Sequence, residues 1–261
     1  VSSPRFAFLD HPGPIAFAHR GGALESPENT WAAFRHAQGL GYRYVETDVH
    51  ATSDGVVVAI HDPDLARTSE RSGLVRETRW TDLSAVRLTG SDDPVPRLDD
   101  LLAAWPDLRW NIDVKHDSAV GPLIETLHRA GAVERVCVTS FSDRRLARVR
   151  RALGPKLCTA MGPASTSALR VASLLPGTAG EVIARKVSGF GAAQIPIRQG
   201  RVPLLDRRFI DTAHVLGMEV HVWTIDDPAT MDQLLELGVD GIMTDRPTVL
   251  KEVLLRRKEW V

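Results

Sequence analysis

Cysteine is scarce in this chain, with only Cys137 and Cys158 among 261 residues. The pair makes no CxxC spacing and both members sit in apolar segments, so they read as buried reduced thiols rather than a disulfide. An excess of either charge is also lacking: 32 Lys and Arg stand against 33 Asp and Glu, for a net charge of −1. That argues against a broad basic field for nucleic acid or an anionic membrane, while leaving local positive charge for a small anionic substrate. No uncharged apolar run is long enough to span a bilayer. The opening VSSPRFAFLDHPGP has neither an initiator Met nor an apolar h-region. No signal peptide is read there, and a cytoplasmic location is the default expectation. Internal repeats and low-complexity stretches are missing too.

What is present is an ordinary globular composition, 43% hydrophobic and 25% charged, with enough apolar material for a sizeable core. Short β-like runs alternate with amphipathic helical segments. Nine runs qualify as strands: 15–18, 42–49, 56–61, 109–115, 135–141, 156–161, 192–197, 218–225 and 240–245. Helices are expected from Asn29 or Thr30 to Gly39 and over 119–130, 142–153, 206–216 and 228–237. Each of the later four ends at a glycine or turn signal. This alternation predicts a parallel sheet closed as a (β/α)8 TIM barrel, one domain over 1–261 with a small insertion after the third strand. The ninth run strains the count. TSDG (52–55) cannot hold a crossover helix, and one resolution has residues 56–61 climbing parallel to 42–48 after an extended return. Residues 62–97 are polar and aperiodic, read as the insertion, either over one end of the barrel or as a solvated excursion.

In such barrels, chemistry sits at the C-terminal strand ends. His19 and Arg20 follow the run 15–18, Glu46 and Asp48 end the next, His61 and Asp62 close 56–61, and Asp113 and Lys115 end 109–115. Glu46 and Asp48 are two apart, so a strand puts both carboxylates on one face. Two close carboxylates repel unless a proton or cation lies between them; a hard divalent ion suits them, and pairing with Arg or capping a loop is the other reading. Asn111, Asp113 and Lys115 repeat the two-residue spacing opposite Ile112 and Val114, which suits a metal-and-phosphate site or a solvated edge strand. His19 and His61 are candidates for proton transfer, because imidazole titrates near neutral pH. His11, His36, His128 and His214 read as ordinary structural histidines; His50, His116 and His221 lie nearer the proposed site. Arg20 offers a planar fork to phosphate. Gly21 and Gly22 serve a tight turn or a close ligand approach. Trp223 is either a wall for an organic moiety or core filler.

Taken in order, HRGG (19–22), PENT (27–30), ETDVHATSDGVVVAIHD (46–62), LARTSERSG (65–73), NIDVK (111–115), SF (140–141), VWTID (222–226) and DGIMTDRP (240–247) resemble the glycerophosphodiester phosphodiesterase family over nearly the whole chain. The resemblance implies a (β/α)8 barrel with a small insertion after the strand carrying His61. It implies metal-dependent hydrolysis of glycerophosphodiesters, such as deacylated phospholipids, to sn-glycerol 3-phosphate and an alcohol. By the same resemblance His19 and His61 are the acid–base pair, Glu46, Asp48 and Asp113 hold one divalent cation (Mg²⁺ or Ca²⁺), and Arg20 and Lys115 contact phosphate. Trp223 is assigned to the substrate side. The family commonly carries Glu where this chain has Asp113, one methylene shorter. A second enzyme reading keeps the barrel and metal but acts on intact lipids, as a lysophospholipase D or sphingomyelinase D. It needs an apolar membrane-facing rim, and the insertion offers only scattered Leu65, Leu74, Trp80 and Leu83. A non-catalytic barrel would be expected to have lost a histidine or carboxylate, and all are present.

Overall fold

The structure is a computed structural model and describes residues 5–175, 180, 182–183 and 187–261. Eight parallel strands form the barrel: β1 (Ile15–Ala18), β2 (Tyr44–Ala51), β4 (Arg109–Val114), β5 (Val136–Thr139), β6 (Cys158–Thr159), β7 (Ala192–Ile195), β8 (Glu219–Val222) and β9 (Gly241–Thr244). Their order is β6-β5-β4-β2-β1-β9-β8-β7. The ring closes where Ala160 bridges Ala192 in parallel, with the Met161 amide donating to the Ala192 carbonyl at 2.9 Å.

The extra strand, β3 (Val57–Ala59), is antiparallel to β2, with Val49 opposite Ala59 and Ala51 opposite Val57. This corrects the expectation that 56–61 runs parallel to 42–48. The five-residue loop Thr52–Val56 makes a hairpin, as loops of that length do. Thr52 accepts the Val56 amide at 2.9 Å, and Gly55 takes φ +84°, where a side chain would be strained. β2 therefore overshoots the rim, and β3 brings the chain back until the Ile60 amide meets the Asp48 carbonyl at 2.9 Å. His61 arrives at the level of Asp48 by this return.

Alternation along each strand sorts side chains into two layers. Ala16, Ala18, Val45, Val49, Trp110, Ile112, Val114, Val136, Val138, Val220 and Val222 face the helices. Ile15, Phe17, Tyr44, Cys137, Cys158 and Met243 pack inside the barrel. The two cysteines are free and buried, as the sequence suggested. A 3-10 turn, Ala7–Leu9, plugs the N-terminal mouth: Phe8 meets Tyr44 edge-on at 5.2 Å, and Tyr44 Oη donates to the Phe8 carbonyl at 2.7 Å. With that end filled, the wide cleft lies at the C-terminal mouth.

The covering helices are α1 (Trp31–Gly39), α2 (Trp80–Leu83), α3 (Leu98–Ala104), α4 (Val120–Arg129), α5 (Asp143–Leu153), α6 (Pro163–Leu174), α7 (Arg207–Val215), α8 (Pro228–Leu237) and α9 (Pro247–Arg257). Polar residues at several strand-to-helix turns cap first-turn amides: Thr30 for Ala33, Ser142 for Arg145, Asp206 for Phe209 and Asp227 for Thr230. The segment 62–97 has its own apolar cluster. Leu65, Val75, Leu83, Val86, Leu88 and Val95 close on Val58 and Ile60, so Leu65 and Leu83 point inward instead of forming an apolar rim. Asp93 accepts the Ala32 amide at 2.8 Å, tying the segment to the start of α1. No helix among the described residues is long and apolar enough to cross a membrane.

Candidate active site

The C-terminal mouth holds a cleft of about 470 Å³. His19, Arg20, Glu46, Asp48, His61, Asp113, Lys115 and Trp223 all line it, so every site residue expected from the sequence converges there. Inward positions change character along a strand: Tyr44, Glu46 and Asp48 run from apolar base to acidic rim, and Asn111 and Asp113 sit beside them in register.

The turn after β1 places the first histidine. Arg20 has φ +52° and its amide donates to Glu46 Oε2 at 2.9 Å, so the carboxylate stabilises a strained backbone. A Cβ on Gly21 would come within 2.6 Å of Ala33 Cβ, and one on Gly22 within 2.6 Å of Pro247. These glycines serve the turn and the helix packing. His19 Nδ1 donates to Asp245 Oδ1 at 2.7 Å. A carboxylate only accepts, so the proton is on Nδ1 and Nε2 is left free, 3.8 Å from Glu46 Oε2. Burial disfavours the charged ring, but Glu46 and Asp245 outweigh it and raise the His19 pKa above 6.5.

His61 repeats the arrangement: its Nδ1 donates to Asp62 Oδ1 at 2.5 Å. Asp62 is held down at about 2, chiefly by its hydrogen bond from Arg67.

The acidic wall is unevenly neutralised. Burial, then the neighbouring Asp48 charge, pushes Glu46 up to about 7. Burial also works against ionised Asp48, but Lys115 and Arg20 prevail and keep its pKa below 3.8. Lys115 Nζ stands 2.8 Å from Asp48 Oδ1 and 2.6 Å from Asp113 Oδ2, and Arg20 Nε is 3.1 Å from Asp48 Oδ2. Burial raises Asp113, whose Oδ1 is buried without a donor. Among the described residues no three acidic, His or Cys side chains converge as a ready metal cage. The donor set nonetheless fits a hard divalent cation, being three buried carboxylates with an orphaned Asp113 oxygen and a Glu46 that calls for a positive neighbour. In this arrangement Lys115 supplies that charge to Asp48 and Asp113.

The same cleft has an apolar wall of Phe141, Met161, Pro163, Ile195, Leu204 and Trp223, with Lys115 Nζ 5.8 Å from the Phe141 ring centre. Phe141 is 64% exposed and meets Trp223 edge-on at 5.9 Å. Trp223 also packs on the inner cluster, so it is both wall and core. His50 is buried and bonds the His61 carbonyl at 3.1 Å, His116 caps the turn before α4, and His221 lies in the barrel beside Gln194.

Several contributors escaped the sequence reading. Asn29 Nδ2 donates to Asp48 Oδ2 at 3.2 Å while its Oδ1 accepts from Thr47 at 2.7 Å. Asp245 holds His19, and Asp226 holds Asp245 through its amide at 2.8 Å. Asn29, Asp226 and Asp245 each lie in a quoted motif, PENT, VWTID or DGIMTDRP, but spacing alone gave them no role.

A profile of the glycerophosphoryl diester phosphodiesterase family matches residues 19–249. The chain belongs to that family. It is an enzyme of this class, a phosphodiesterase. It is 40% identical to "Probable glycerophosphodiester phosphodiesterase 2" of Mycobacterium tuberculosis, over 99% of this chain and 97% of the relative. A crystal structure from Silicibacter pomeroyi superposes with TM-score 0.80 at 24% identity, covering 98% of this chain and 100% of that one. An Oleispira antarctica phosphodiesterase, solved with the product sn-glycerol-3-phosphate, matches with TM-score 0.75 at 20% identity over 92% and 96% of the two chains. At those identities the two structures bear on the fold, which they share.

Proposed function

We propose that this phosphodiesterase hydrolyses glycerophosphodiesters to sn-glycerol 3-phosphate and an alcohol, with His19 and His61 as its proton-transfer pair and one Mg²⁺ or Ca²⁺ as cofactor. The observation that carries the reading is the pairing of each histidine with a carboxylate at Nδ1 on the rim of one cleft. Phosphodiester cleavage needs one proton removed from a nucleophilic hydroxyl and one delivered to the departing alkoxide. One imidazole, neutral with Nε2 free, takes the first proton, and the other, entering the turnover protonated at Nε2, delivers the second. Arg20 and Lys115 supply the positive charge that a phosphoryl group gaining negative charge requires.

Glu46, Asp48 and Asp113 would hold the cation, which when bound polarises a phosphoryl oxygen. Asn29 keeps Asp48 in place, and the Arg20 amide keeps Glu46 in place. The wall of Phe141 and Trp223 gives the alcohol portion an apolar surface to lie against.

The test is a panel of glycerophosphodiesters scored for sn-glycerol 3-phosphate, run with chelator, Mg²⁺ or Ca²⁺. Release only with a divalent ion is expected. Cleavage of lysophosphatidylcholine in preference to glycerophosphocholine would move the substrate to intact lipids, and metal-independent turnover would remove the cation.

A further inference from the structure

Arg67 lies in the LARTSERSG segment, which the strand-end chemistry leaves without a task. It is absent from the cleft lining, as are Asp62 and Glu28. Its guanidinium nevertheless reaches both halves of the site. Nε donates to Asp62 Oδ2, while Nη1 and Nη2 donate to Glu28 Oε2 and Oε1 at 2.9 and 2.7 Å. Asp62 accepts from His61 Nδ1 through its other oxygen. Glu28 Oε1 also accepts from Arg20 Nη1 at 3.2 Å. One planar cation thus joins two carboxylates, and each carboxylate holds a different functional side chain. His61 comes from the β3 return and Arg20 from the turn after β1, and no strand pairing joins β1 to β3.

We propose that Arg67 is a positioning residue that sets His61 against Arg20. Through Asp62 it holds the His61 ring with Nε2 toward the cleft; through Glu28 it holds the Arg20 fork over the same cleft. The segment 62–97 then has a defined part in the site: it delivers this clamp from outside the barrel. The inference rests on the roles given above to His61 and Arg20. Lysine cannot replace the clamp, because an ammonium is a point donor and does not grip one carboxylate with two parallel bonds while reaching a second.

The experiment compares Arg67→Ala, Arg67→Lys, Asp62→Ala and the Arg67→Ala/Asp62→Ala double variant in the full chain, with glycerophosphocholine as substrate. Arg67→Ala is expected to lower kcat about 10- to 100-fold, the scale of a roughly 1 Å misplacement, with KM changed far less. Arg67→Lys should recover only part of the loss, and the double variant should lose less than the product of the two single losses, because without Asp62 only the Glu28 arm is left for Arg67 to serve. A raised KM at unchanged kcat, full recovery by lysine, or independent losses in the double variant would overturn the proposal. So would a lowered Tm with kcat and KM intact. A second readout needs no turnover: ¹⁵N NMR of the His61 ring should show the Nδ1–H tautomer in the parent and a mixture in Arg67→Ala. An unchanged tautomer would overturn the clamp even if the substrate assignment had failed, which keeps the two failures apart.

Discussion

Lys115 Nζ lies 2.8 Å from Asp48 Oδ1, deep at the rim of the acidic wall. The same ammonium is 2.6 Å from Asp113, so one lysine compensates two buried carboxylates. Breaking a buried pair by removing one partner costs about 3–5 kcal/mol, because a charge is left uncompensated. Lys115→Met should therefore lower the Tm of the metal-free protein markedly. Mg²⁺ or Ca²⁺ should restore more stability to the variant than to the parent, since the added cation supplies the missing charge. Thermal unfolding with and without divalent ion checks this; equal stabilisation of both proteins would contradict it.

Glu46 gives a pH prediction. Its folded pKa of about 7 is above the ordinary 4.5. Its contribution to stability is then full below about 4.5 and lost as pH rises through about 7. His19, also raised, adds a loss in the same direction above 6.5. Metal-free protein should therefore lose stability from pH 5 toward pH 8. Glu46→Gln should flatten that slope and raise the metal-free Tm at pH 7.5, because a neutral amide can still accept the Arg20 amide. A Glu46→Gln protein with the parent's slope would contradict the argument.

Asp245 fixes the His19 ring, and Asp226 fixes Asp245. Asp245→Asn removes the obligate acceptor and allows the other tautomer, with Nε2 protonated. The expected result is a fall in kcat of about 10- to 100-fold, the range for a misplaced catalytic group, with KM and Tm nearly unchanged. Steady-state kinetics on glycerophosphocholine decides it, and unaltered kcat would remove Asp245 from the account.

Strand identity and the barrel were legible because short, mostly apolar runs such as Ile15–Ala18 and Val136–Thr139 are bounded by clear helix or turn signals. The direction of β3 was not, because a run of consecutive valines carries no sign of parallel or antiparallel pairing; only the shortness of the loop after Ala51 held that information. Helices α3, α6 and α9 were missed because their apolar positions sit beside loop-like Pro, Ser and Asp residues. At the site, residues on strand ends were readable from spacing. Residues that act across the sequence were not, since Asp245 meets His19 from 226 positions away and Arg67 meets Glu28 from 39. The paired carboxylates were legible as needing a positive neighbour, a need that Lys115 partly meets.

The central claim is that His19 and His61 transfer the protons of phosphodiester cleavage. Its most direct test is sn-glycerol 3-phosphate release from glycerophosphocholine by His19→Ala and His61→Ala, each checked for parent-like Tm. Both variants should lose nearly all turnover while remaining folded. Near-normal release by either one would contradict the account.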